Sequence, residues 1–222
     1  MAAQWPGSYS DAYGQHDITI EADGTMLAIE IRGVVFSGRD FDDLEPLGTS
    51  ESTGMFATSH GGLTDYKIGW QMPVQVVSRG TEITAALNCE LVLGNPPGHE
   101  GARTEDLTIS LVQPEAAPVT TTRPYGFFEE ALADIQRQLA ADTYLKACIS
   151  CAYSDYSPAG SGLSGSLACF RDNKAAYRAV SGKRDLFRVW ETRTEFVRET
   201  HLCPEFERRA PHAGYRGGFP EP

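Results

Sequence analysis

Four of the five cysteines stand in the last third of the chain, at Cys148, Cys151, Cys169 and Cys203. The run Cys148-Ile149-Ser150-Cys151 is a C-x2-C step, which lets two thiolates from one tight turn reach the same metal ion. Two further cysteines would complete the tetrahedral shell that structural Zn2+ prefers. The gaps to Cys169 and Cys203 are long and unequal, so the spacing points to a metal without pointing to a particular zinc fold. Four protein ligands leave no open position for water, and such a site stabilises rather than hydrolyses. Arg171 and Lys146 are close enough in sequence to soften its negative charge.

Two other chemistries compete for the same residues. A thiol redox pair at Cys148 and Cys151 needs a neighbour that lowers the first thiol's pKa, and the flanking Ala147 and Ala152 supply none. His201, two residues before Cys203, could replace one cysteine as ligand and leave a coordination position open. Cys89 belongs to neither set. It lies in a row of apolar residues, where a free thiol acts as a small hydrophobe.

Gly160, Gly162 and Gly165 spell G-x-G-x-x-G, with Asp185 twenty residues on. No apolar strand precedes them and Cys169 follows before a helix could run, so a loop between metal ligands fits better than a dinucleotide site. Tyr153, Asp155 and Tyr156 in the same loop are candidates for a recognition surface, or else a cover over the metal. Asp40, Asp42 and Asp43 form an acidic run that suits a basic partner or a solvated loop. His60-Gly61-Gly62 reads as a turn, since no Gly-x-Ser-x-Gly elbow accompanies it.

The elements that must position these residues differ along the chain. From Asp17 to about Gln113 the apolar residues alternate: Leu27, Ile29 and Ile31 share one face, and Ala85, Leu87, Cys89, Leu91 and Leu93 share another. Several such runs between turn-rich stretches predict an antiparallel β-sandwich. Beyond Pro124 the period becomes helical, with Phe128, Ala131, Leu132, Ile135 and Leu139 on one stripe and Glu129 and Glu130 in the first turn. Asp172 is placed to cap a second helix that Gly182 ends, and Leu186 to Trp190 suggest a third. The expected class is α+β: a flexible N-terminus over 1–16, a β-sandwich over 17–113, a linker over 114–124, a helical four-cysteine zinc module over 125–209, and a flexible tail over 210–222.

The net charge of −11 is uneven, because the acidic excess lies before residue 125. Such a field repels phosphate backbones and suits a basic protein partner rather than nucleic acid, although acidity of this kind more often serves solubility alone. No stretch has the length and apolarity of a membrane span or a secretory h-region, so a cytoplasmic protein is expected, with its cysteines reduced.

The words Tyr144-Leu145-Lys146-Ala147-Cys148-Ile149-Ser150-Cys151, Tyr153-Ser154-Asp155-Tyr156-Ser157-Pro158, Cys169-Phe170-Arg171 and Cys203-Pro204-Glu205-Phe206-Glu207-Arg208-Arg209 resemble a bacterial family of uncharacterised proteins. That family pairs a β-rich N-terminal part with this cysteine module. The resemblance implies that the four cysteines act as a unit and implies no activity. The function expected from the residues is a non-enzymatic, zinc-stabilised binding or adaptor protein, of the immunity or inhibitor kind, with an acidic surface for a basic partner. A zinc- or thiol-dependent enzyme using the C-x2-C pair, and a structural component of a larger assembly, are the alternatives.

Overall fold

The computed structural model describes residues 3–48, 54–98, 104–211 and 215–220. The chain opens with β1 (Ala3–Asp11), β2 (Gly14–Ala22), β3 (Leu27–Ile31), β4 (Val34–Gly38) and β5 (Glu45–Pro46). A small hairpin, β6 (Thr58–Ser59) and β7 (Gly62–Leu63), precedes the long strands β8 (Tyr66–Ser78) and β9 (Thr81–Gly94), then β10 (Thr104–Val112) and β11 (Val119–Thr120). Helix α1 (Phe128–Gln138) leads into β12 (Thr143–Lys146). The remainder holds β13 (Ser154–Asp155), β14 (Ser166–Cys169), α2 (Lys174–Arg178), α3 (Lys183–Val189) and β15 (Glu195–Arg198).

Ten strands form one antiparallel sheet in the order β11-β10-β9-β8-β1-β2-β3-β4-β5, with β12 also bonded to β8. The expected alternation holds: Leu27, Ile29, Ile31, Leu87, Cys89 and Leu91 all face one core, which also takes in Phe128, Leu132 and Ile135 of α1. Strand β1 joins the β2–β5 meander to β8, so the strands run as one continuous hydrogen-bonded sheet where two separate ones were expected. The fold is a β-rich α+β structure.

Residues 1–16, expected to be flexible, supply β1 at the middle of that sheet. Pro6 and Gly7 read as strand breakers, yet Trp5 and Tyr9 on either side are buried. Gly7 is required where it stands: it pairs with Trp70, and a Cβ there would lie 2.3 Å from the Gly69 carbonyl oxygen. Only a residue without a side chain lets β1 and β8 close at that point.

An ion pair fastens the end of this hairpin. Arg32, in the β3–β4 turn with φ 53°, places its guanidinium 2.5 Å from Asp11 Oδ1 and 2.8 Å from Oδ2, and donates to His16 Nε2 at 2.9 Å. The rings of Tyr9, Tyr13 and Phe56 surround it at 5.1–5.8 Å. Side-chain exposure is 9% for Arg32 and 1% for Asp11, so water contributes little to either charge.

The division expected at 114–124 falls inside the sheet. Within that stretch β11 pairs with β10, and the Thr121 hydroxyl accepts from the Ile109 N–H at 3.2 Å. Asp134 of α1 accepts from the Thr122 N–H and hydroxyl at 2.6 and 2.9 Å. Gln136 ties α1 to β12 by donating to the Thr143 carbonyl and accepting from the Leu145 N–H, at 3.0 and 2.9 Å. Helix α1 and β12 thus belong to the main sheet.

The expected helical module is mostly not helical. Over 125–209 it contains, besides α1 of eleven residues, the sheet β13-β14-β15 and two short helices of five and seven residues. Asp172 makes no side-chain cap, and Gly182 precedes α3 instead of ending α2. The expected flexible tail also returns to the body: Phe219 is buried in the main core, and Arg216 lies over the Tyr156 ring and 2.5 Å from Glu129.

The Arg32–Asp11 pair carries a prediction. Burial opposes the Asp11 carboxylate, but hydrogen bonds from Arg32, the Tyr13 N–H and Tyr9 outweigh it and hold its pKa below the ordinary value of 3.8. The stability it contributes is present above that value and is lost as pH falls through the depressed pKa. Asp11→Asn leaves a buried guanidinium without its anion and should cost about 3 kcal/mol at pH 7. Urea denaturation should show that cost shrinking toward pH 2.

Candidate functional site

Strand β12 delivers the first two cysteines. It ends at Lys146, and the chain turns through one 3-10 helix, Cys148–Ser150, with the Cys151 N–H donating to the Cys148 carbonyl at 3.1 Å. This turn is held from outside, by the Cys148 N–H to the His201 carbonyl and the Ile149 N–H to the Glu199 carbonyl, both 2.9 Å. Cys169 ends β14, where it pairs with Ser154 and Glu195. Cys203 opens a turn closed by the Phe206 N–H.

Cys148, Cys169 and Cys203 pack in one cluster with Leu167 and Val197, and Cys151 borders it among Tyr153 and Phe170. All five cysteines are buried and unbridged. Burial first, and then Cys151, Cys169 and Cys203, push the Cys148 thiol far above its ordinary pKa, as expected for thiols crowded together away from water. Among the described residues no three His, Cys, Asp or Glu side chains stand ready-arranged to hold a metal. Cys89 lies apart in the main core opposite Trp70, as its strand position implied.

The expected neighbours separate. Arg171 Nη1 is 3.9 Å from Cys169 Sγ and also bonds Glu195. Lys146 pairs instead with Glu82 across the sheet. His201 exposes its side chain and offers the cysteine turn only its carbonyl.

Of the residues expected to form a recognition surface, Asp42 alone is well exposed. Tyr153 is enclosed, its hydroxyl bonded to Glu207 and Arg178 and its ring beneath Lys174 and Arg178. Asp155 is buried, accepting from the Tyr177 hydroxyl at 3.0 Å, and burial raises its pKa against the pull of Arg216 and Arg209. Tyr156 donates to Glu199 at 3.1 Å. Asp40 accepts from the Ser164 N–H and hydroxyl, both at 2.8 Å, and Asp43 accepts from the Asp40 N–H at 2.7 Å. Asp40 is thus consumed in holding loop 157–166 to the sheet, and the others in bonds to their own neighbours. The glycines there serve that approach: a Cβ on Gly162 would meet Asp40, and one on Gly165 the Tyr156 ring, each at 2.3 Å.

Spacing gave no signal for the buried charges behind this loop. Glu199 accepts from the Gly165 N–H at 2.5 Å, and Arg198 donates to the carbonyls of Asp23 and Arg39 at 3.0 and 3.2 Å. Arg209 caps the Cys151 carbonyl through Nε and Nη2 at 3.1 and 2.8 Å. A second set, Asp17, Glu21 and Glu30, was visible only as the polar half of the strand alternation. The three exposed carboxylates line a groove of about 470 Å3 on the outer face of β2–β4, floored by Ala28 and Val35. None makes an ion pair among the described residues.

The molecule so defined is a β-rich protein with a cysteine cluster fed from its main sheet. A model of a family of unknown function, DUF6304, matches residues 3–154, and the chain belongs to that family. The match includes Cys148 and Cys151 and stops before Cys169 and Cys203. No curated protein and no solved structure matches the chain. No helix among the described residues is long and apolar enough to cross a membrane.

Glu199 yields a pH prediction opposite in sign to that of Asp11. Burial raises its pKa from 4.5 to about 7, against the hydrogen bonds that favour its charged form. The native state therefore keeps a proton that the unfolded chain releases, and stability falls as pH rises from 4.5 to 7. Glu199→Gln keeps an acceptor for Gly165 and should remove most of that slope. Denaturation midpoints at pH 5 and pH 8 should then lie closer together than in the wild type, with the remaining difference from Asp40, whose pKa burial raises to about 6.

Proposed function

We propose that the chain is a non-enzymatic protein-binding protein whose C-terminal part is held by one structural zinc at Cys148, Cys151, Cys169 and Cys203. The observation that supports this reading is that Cys148, Cys169 and Cys203, from three separate segments, pack in one buried cluster, with Cys151 one 3-10 turn from Cys148. Binding requires each thiol to lose its proton and turn its sulfur inward, and the energy released is folding energy for the segments joined. The closed shell gives the metal no position for substrate. A reducing compartment, the cytosol, keeps the thiols available.

The partner is a protein segment rich in Lys or Arg, and it docks in the groove of Asp17, Glu21 and Glu30. Three carboxylates free of ion pairs around a partly apolar floor give charge complementarity and area for the stems of basic side chains.

The native protein should contain one zinc per chain, with four thiols protected from alkylation until a chelator is added. Cys151→Ser should lose the metal and expose loop 157–166 and β13–β15 to proteolysis, while the main sheet persists. A metal-free protein with one fast-reacting thiol at Cys148 or Cys151 would sink the zinc reading and favour thiol chemistry. For the groove, an arginine-rich decapeptide at low salt should shift backbone NMR signals of β2–β4. The variant with Asp17→Asn, Glu21→Gln and Glu30→Gln should lose those shifts. Shifts spread evenly over all acidic residues would refute a dedicated site.

A further inference from the structure

Two buried side-chain nitrogens, Trp70 Nε1 and Arg198 Nη2, have no hydrogen-bond partner, and no other buried side-chain nitrogen or oxygen among the described residues shares that condition. Both residues line the same cavity, about 10 Å3 in volume, between the inner face of the sheet and the end of β15. Leaving a buried donor unbonded is costly, and more so when it is charged. Arg198 is 8% exposed and already spends Nε and Nη1 on carbonyls of the β2–β3 turn and of Arg39.

We infer that this cavity is an internal water site. One water accepts from Trp70 Nε1–H and Arg198 Nη2–H and gives its own protons to the Glu199 carboxylate and the Thr200 side of the wall. The small volume and the two unpaired donors in an otherwise largely apolar wall select this ligand. A water needs roughly 10–15 Å3 and two to four polar partners, which this space supplies and which a larger molecule exceeds. An anion would suit the two donors, but it would have to share the space with Glu199. Burial already keeps that carboxyl from ionising until about pH 7, and above that pH two negative charges would meet.

The site adds a contact to β8 beside the bonds by which Arg198 already holds β15 to the carbonyls of Asp23 and Arg39. Trp70 belongs to β8, Arg198 to β15, and Glu199 holds the glycine loop through Gly165. The water thus pins the C-terminal sheet to the core of the main one, independently of any metal at the cysteines.

A high-resolution crystal structure of the full chain should show one ordered water within about 3.2 Å of both nitrogens. In solution the Trp70 indole proton, one of three tryptophan indoles in the chain, should show a direct cross-peak to long-lived water. Its resonance is assigned by triple-resonance methods, so no variant need fold. Trp70→Phe should leave the water bound to Arg198 with a raised displacement factor. An empty cavity, or a direct bond from Trp70 Nε1 to Glu199, would overturn the inference. So would a peak that gains anomalous signal after a bromide soak, which would assign an anion instead.

Discussion

Strand β8 has one edge to share between two partners from opposite ends of the chain, and the rest of the structure follows from how it does so. Lys67 to Trp70 pair with β1, and Gln75 to Ser78 pair with β12. Between them, Gln71 to Val74 bond only β9 on the other side. Pro73, which has no N–H to give, stands in that unclaimed stretch, so a proline is tolerated within a thirteen-residue strand. Beside the gap runs the segment from Arg198 to His201, which lines a groove with Ala3, Trp5 and Pro73. The backbone that receives the first cysteine turn is thereby set against the sheet.

This arrangement explains why the cysteine cluster is not a separable module. The C-x2-C turn is an extension of β12, itself a strand of the main sheet, whereas Cys169 and Cys203 come from the smaller sheet and the turn after it. The family match ends at residue 154 and so encloses the large sheet with the first pair of thiols. A metal there would couple the two sheets as well as close the C-terminal part.

Charge is sorted by the same geometry. Asp17, Glu21 and Glu30 of the acidic first part lie on the outer face of β2–β4, while Asp11, Asp40, Asp155 and Glu199 are drawn inside, each against named donors. Inside, the outcome depends on how well those donors offset burial. Arg32 and two neighbours suffice for Asp11, so it stays ionised; Glu199 and Asp40 are pushed the other way. Residues of one type thus take opposite parts in the pH dependence of stability.

By itself the sequence determined whatever depends on neighbours along the chain. The period-two alternation of Leu27 to Ile31 and Ala85 to Leu93 placed the core faces, the stripe from Phe128 to Ile135 placed α1, and Cys89 was separable from the other thiols by its strand position. It misjudged the N-terminal stretch that forms β1 and the 114–124 stretch because local sequence says nothing about a distant strand that accepts them. Tertiary structure alone decided that Ser164 meets Asp40 across 124 residues, that the acids of the glycine loop face inward, and that one sheet replaces two. The physical reason is common to all three. A hydrogen bond or a buried charge is satisfied by whatever lies beside it in space, and in this chain β1 and β12 decide what that is by sharing a single edge of β8.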